Sequence, residues 1–220
     1  LPVLVVATGV MLSVLMHAYV TGIMGDTIEM NARFSTGHVK VMSQAYADNI
    51  NQMPNDLALF GTEELVSNLE NEFPQLNWSQ RIKFGGLVDA PDENGETREQ
   101  GPAIGMGINL LSKESKEAER LKLAESLVRG EMPSESGEVL LSEEFSQKLK
   151  VNPGDEVTFL GSTMNGSMSM YNFTVAGTVK FGAAALDRGT LVADIQDVRS
   201  ALDMQNAAGE ILGFFKTGYY

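Results

Sequence analysis

The sequence predicts an α+β chain: an N-terminal transmembrane helix, then an extracytoplasmic portion in which strand–helix–strand units bracket an inserted α+β segment. Three observations predict it. Residues 1–25 lack any formal charge until Asp26. Later stretches alternate between period two and a helical period, the marks of strands and amphipathic helices. The strand–helix–strand order seen after residue 36 returns after residue 190.

The 220 residues carry 16 Lys and Arg against 29 Asp and Glu, a net charge of −13, with 43% hydrophobic residues and no cysteine. That apolar share supports a packed core and excludes disorder. Zero cysteine excludes a disulfide scaffold, thiolate metal sites and cysteine catalysis. So acidic a surface excludes nucleic acid as a partner, because phosphate binding needs clustered Lys and Arg.

LPVLVVATGVMLSVLMHAYVTGIMG (1–25) would rise about 37 Å as a helix, enough for the ~30 Å hydrocarbon layer. Pro2 suits a helix start, and Gly9 with Ser13 offers a small-xxx-small face for a sister helix. A signal peptide fits less well, since no basic region precedes the run and no Ala-x-Ala site follows; a buried core helix is the other alternative. His17, beside Tyr19, reads as a neutral side chain near the outer interface. Asp26, Glu29 and Arg33 follow with no Lys/Arg cluster, which places this end on the non-cytoplasmic side. The missing initiator Met and the apolar run Ile211–Phe215 near the end give the expectation of an excerpt from a longer chain.

Residues 26–88 and 181–220 are assigned to the bracketing units. Thr36–Ser43 alternates like a half-buried strand. In GTEELVSNLENEF, Thr62 can cap, and Leu65, Leu69 and Phe73 share one helical face until Pro74. Asn77–Val88 is a strand. Thr190–Ala193 is another, followed by the cap Asp194, a helix with the stripe Ile195, Val198, Leu202, and the strand Glu210–Phe215.

Residues 89–180 form the insert. Asp92–Gln100 is a polar turn from which Ala103–Ile108 pairs back. Ser112–Val128 is expected as a helix burying Leu121, Ala124 and Val128. Glu138–Leu141 is a strand, and Ser142 opens a short helix that aligns Phe145 with Leu149. Asn152-Pro153-Gly154-Asp155 is a turn, and strands Glu156–Leu160 and Tyr171–Lys180 flank a flexible tip, GSTMNGSMSM.

The runs LVRGEMPSESGEVLLSEEFSQKLKVNPGDEVTFLG (127–161), YNFTVAGTVKFG and LDRGTLVADIQDVRSAL resemble the periplasmic core domain of FtsX/MacB-type ABC transporter permeases. The resemblance lies in the order of a Gly-x-x-Pro turn, a strand, a short helix, a Pro-Gly-Asp turn and a Val-x-Gly strand, and it covers Leu127–Leu202. It extends to the lipoprotein-releasing LolC/LolE branch as much as to the toxin-exporting one. It implies a porter-like βαβ subdomain with an inserted subdomain, in the periplasm, on the first of four helices in the inner (cytoplasmic) membrane. The partners it implies are a cytosolic ABC ATPase subunit, a second permease copy in a homo- or heterodimer, and a periplasmic carrier or adaptor. The permease subunit itself is non-catalytic in such systems.

Chemistry of the chain's own finds little support. Gly161–Gly166 has phosphate-loop spacing, but Ser167 stands where Lys would neutralise phosphate. Asp89–Gly101 has Ala90, Pro91 and Gly101 where a calcium loop needs ligands. There is no Gly-x-Ser-x-Gly elbow, and His17 and His38 cannot build a base–orienter pair. No catalytic residue, cofactor or metal is assigned. Met164, Met168 and Met170 could offer thioethers to a soft metal, yet an adaptable apolar contact surface is the better reading, so Met164, Asn165, Met168 and Met170 are the candidate partner contacts. A membrane-anchored binding or adhesion module that works without an ATPase is the alternative function.

Overall fold

The computed structural model of the chain describes residues 2–92 and 94–216. Leu1, Glu93 and residues 217–220, which belong to the expected span, turn and last unit, lie outside the described residues. The chain begins with α1 (Pro2–Asn31), which continues into a π-helical turn, Ala32–Thr36. Among the described residues α1 is the one helix long and apolar enough to cross a membrane. None of its apolar window is buried, so it is not a core helix. The hydroxyls of Thr8, Ser13 and Thr27 donate to the carbonyls of Leu4, Gly9 and Ile23, which satisfies them inside an apolar stretch. The helix outlasts the expected 25 residues because Glu29 and Arg33 pair one turn apart. It stops at Gly37, whose positive φ of 60° brings its N–H onto the Ala32 carbonyl.

The remainder follows in the order β1 (Val39–Val41), α2 (Gln44–Asp48), β2 (Leu59–Phe60), α3 (Thr62–Glu72), β3 (Leu76–Pro91), β4 (Thr97–Ile108) and α4 (Glu117–Arg120). Then come β5 (Leu127–Gly130), β6 (Glu138–Ser142), α5 (Glu143–Leu149), β7 (Glu156–Ser162), β8 (Met168–Val179) and α6 (Ala184–Asp187). The last are β9 (Thr190–Asp194), α7 (Ile195–Leu202), β10 (Ala207–Ala208) and β11 (Glu210–Phe215). The 16-residue β3 is the frame of the molecule. Its first half pairs with β11, which pairs with β1; its second half pairs with β4 on one side and β7 on the other.

Because β4 pairs β9, β9 pairs β6, β6 pairs β8 and β8 pairs β7, six strands close into a ring. Its inward face is one apolar cluster that includes Phe84, Val88, Val139, Phe159, Phe173 and Leu191, filled by side chains as small closed sheets are. Gly86 and Gly105 make room for the rings of Phe159 and Phe84, which meet edge to face at 5.0 Å. By register, β1 and β3 run parallel with β11 between them, and β9 and β11 run parallel with β3 and β4 between them. β3 runs unbroken through residues 88–89.

Four sequence expectations are corrected. Ser112–Val128 is not one helix. Side chains of Asn109, Ser112 and Ser115 take local backbone bonds in place of a helical ladder, and Lys122 turns the chain with φ 53°. Leu121 and Leu123 are both buried, whereas a helix with a single buried face would set them about 200° apart, and Val128 stands exposed in β5. Thr62 does not cap: Gly61 is the N-cap, and the buried Thr62 hydroxyl donates to Gln80 Oε1 at 2.7 Å. The first strand shortens to Val39–Val41. The tip also shortens, to Thr163–Ser167, because the ladder runs on to the Ser162–Met168 pair. Asp194 does cap α7, accepting from Gln196 N–H at 2.9 Å.

Candidate functional site

Two regions stand out: the root of α1 and the β7–β8 hairpin. At the root, β3 carries Arg81, fully buried. Its Nη1 donates to the carbonyl of Arg33 at 2.7 Å and its Nε to Glu117 Oε2 at 2.7 Å. Glu117, buried on α4, also binds Arg120, whose guanidinium covers the Phe214 ring at 3.8 Å. One carboxylate thus ties two arginines, and one arginine grips the backbone where α1 ends. Burial lowers the Arg120 pKa, with Glu117 opposing that shift.

The last described strand meets the same place. His38 N–H donates to Gly213 O at 2.9 Å, and Phe215 N–H donates to His38 Nδ1 at 2.8 Å. Burial, then the charge of Arg120, hold the His38 pKa below the ordinary histidine value. Deeper along β11, the buried Glu210 accepts from Lys40 at 2.7 Å and pairs with Lys83 at 2.8 Å. On the other flank, Phe34 meets Phe181 edge to face at 5.5 Å, above a second apolar cluster that includes Leu123, Leu140 and Val192.

The hairpin tip is more ordered than its composition suggests. Gly161 pairs with Ser169 and Ser162 with Met168, so only Thr163–Ser167 form the turn. It is docked as well: Met164 N–H donates to Leu202 O at 2.9 Å and the Ser169 hydroxyl to Ala201 O at 2.5 Å, both at the end of α7. The candidate residues therefore separate. Met164 packs against the inner cluster, Asn165 is exposed, and Met168 and Met170 stand outward at 82% and 69% exposure. Met170, Leu160 and Leu87 lie side by side across β8, β7 and β3. A cavity of about 650 Å³ lies beside the turn, between Met53–Asp56 and Thr163–Gly166. On α1, the Ser13 hydroxyl bonds back to Gly9, and space around Gly9 is open. Among the described residues no group of three His, Cys, Asp or Glu side chains could hold a metal ion.

No family model and no curated protein matches the chain. Solved structures do. The periplasmic region of MacB from Actinobacillus actinomycetemcomitans aligns with a TM-score of 0.55 at 14% identity, over 82% of this chain and 75% of that one. The two share a fold. In this chain an apolar helix with none of its apolar window buried precedes that shared fold.

Sequence reading missed the brace of Arg81, Glu117 and Arg120. Arg81 gave no signal, because with Asn77, Ser79 and Lys83 it falls on the polar phase of a strand whose other face carries Trp78, Ile82 and Phe84. Glu117 had none, because KESKEAER reads as a solvated charged run.

Proposed function

We propose that the chain is the periplasmic domain, with the preceding membrane helix, of an FtsX/MacB-like ABC transporter permease subunit. It would couple ATP hydrolysis on a separate cytosolic chain to extraction or export of a lipoprotein, peptide or hydrophobic cargo on the periplasmic side. The observation that carries the reading is the brace: a MacB-like fold is joined to an apolar helix by a buried arginine on the helix backbone, and the last described strand ends beside it. A rigid joint of this kind passes movement of the helix to the long strand β3, and through β3 to the ring. In this reading Gly9 and Ser13 face a sister helix, a second permease copy completes the complex, and Met168 and Met170, with Asn165, touch cargo or a periplasmic carrier.

The test is reconstitution of the whole permease with its ATPase in proteoliposomes, comparing the native chain with Glu117→Gln. The variant should hydrolyse ATP at a nearly native rate while transport falls about tenfold or more, as loosened coupling requires. Equal transport would contradict the mechanical reading. A chain that binds its ligand with no ATPase partner would instead support the anchored binding module.

A further inference from the structure

The protein is strongly acidic overall, yet five of its 16 Lys and Arg side chains line one cavity. A cavity of about 310 Å³ at the root of α1 is lined by Arg33, Lys116, Arg120, Lys122 and Lys216, against two carboxylates, Glu29 and Glu119. Glu29 is already committed to Arg33, and Arg120 to Glu117. Lys116, Lys122 and Lys216 are exposed and have no carboxylate within ion-pair distance among the described residues. Phe214 and Phe215 give the cavity an aromatic wall.

Position decides what such a cavity would hold. The charge-free run ends at Asp26, and Glu29 and Arg33 follow by three and seven residues, or about 5–10 Å of helix rise. Glu29 thus stands within the headgroup layer, about 5–7.5 Å deep, of a bilayer spanned by α1, and Arg33 at its outer side. Adjoining it, on the other flank of the helix, lies a cavity of about 250 Å³ with Met30, Phe34, Leu121 and Phe181 in its wall; the two share Glu29, Arg33 and Lys122. A cationic cavity with Phe214 and Phe215 in its wall, beside a second one that has Met30, Phe34, Leu121 and Phe181 on one side, is complementary to an amphiphile with an anionic head, where free phosphate would use only the basic side chains.

We infer that this root cavity binds the phosphodiester headgroup of an anionic phospholipid, with Lys116, Lys122 and Lys216 facing the phosphate. The inference goes beyond the transport reading and rests on α1 spanning the membrane. A bound headgroup there would lie against the Arg33–Arg81 joint and fix the height of the domain above the bilayer.

The experiment is native mass spectrometry of the full chain in neutral detergent, with phosphatidylglycerol, phosphatidylcholine or inorganic phosphate added. Phosphatidylglycerol should be retained about tenfold over phosphatidylcholine, and a Lys116→Gln, Lys122→Gln, Lys216→Gln variant should lose that preference. The same three positions changed to Arg should keep it, as should Lys148→Gln on the distant α5. Equal retention of the two lipids, a preference that survives the Gln variant, or full competition by inorganic phosphate would each overturn the lipid site. Phase partitioning separates the two levels: a chain that stays in the aqueous phase refutes the span itself, whereas one that enters the detergent phase without lipid preference refutes the site alone.

Discussion

At Arg81 and Glu117 both charges are out of water, so each depends on the other for compensation. Replacing one member of such a buried pair leaves an uncompensated charge and typically costs about 3–5 kcal/mol. Glu117→Gln should therefore lower the unfolding free energy by about that amount in urea titration. A change within about 0.5 kcal/mol, the range of a surface site, would show that the pair is solvated. His38 supplies a pH dependence. Its pKa is lowered by burial and by Arg120, so the folded state binds a proton less readily than the unfolded chain. Stability is then fully present above the ordinary histidine value and falls as pH drops through it toward the lowered folded value. A protonated Nδ1 could no longer accept from Phe215. Melting temperature should fall between pH 7.5 and about 5.5. His38→Asn, which keeps an acceptor but cannot titrate, should flatten that slope; an identical slope would assign it to other groups.

The hairpin shows at element scale how composition and structure part. Gly, Ser, Asn and Met between two strands signal a loop, yet the ladder runs to Ser162 and Met168 and the turn is held on α7. The docking contacts are to residues about 30–40 positions away, which no local pattern reveals. The methionines consequently differ: Met168→Ser with Met170→Ser should change stability within about ±0.5 kcal/mol, whereas Met164→Ser, against the core, should cost about 1–2 kcal/mol. Equal costs, measured by thermal unfolding, would contradict the docked turn. On β4, a Cβ added at Gly105 would overlap the Phe84 ring, so Gly105→Ala should destabilise by about 1–3 kcal/mol. An unchanged melting temperature would mean that Phe84 can move and that the ring interior is loosely filled.

At the scale of the whole molecule, what was legible was what is local. The charge-free run marked α1, Asp194 marked the start of α7, and Asn152–Asp155 marked the turn before β7. Closure of the ring was not legible, because β7 meets β3 across some 70 residues and β4 meets β9 across some 85, and alternation says only that a strand has two faces. The helix expected over 112–128 failed because a charged run with scattered leucines satisfies a helical period while its serines and Asn109 take the backbone elsewhere. The same rule held for the hairpin, which composition marked as a turn between strands, and for the brace, which is assembled from three separate segments and was not legible.

The central claim is that the ring domain stands on the periplasmic side of a membrane spanned by α1. The chain has no cysteine, so a single engineered one reports without background. Met168→Cys, at a position 82% exposed, should react with a membrane-impermeant maleimide in intact bacterial cells as fully as in lysed ones. Labelling only after lysis would place the domain in the cytoplasm and contradict the account.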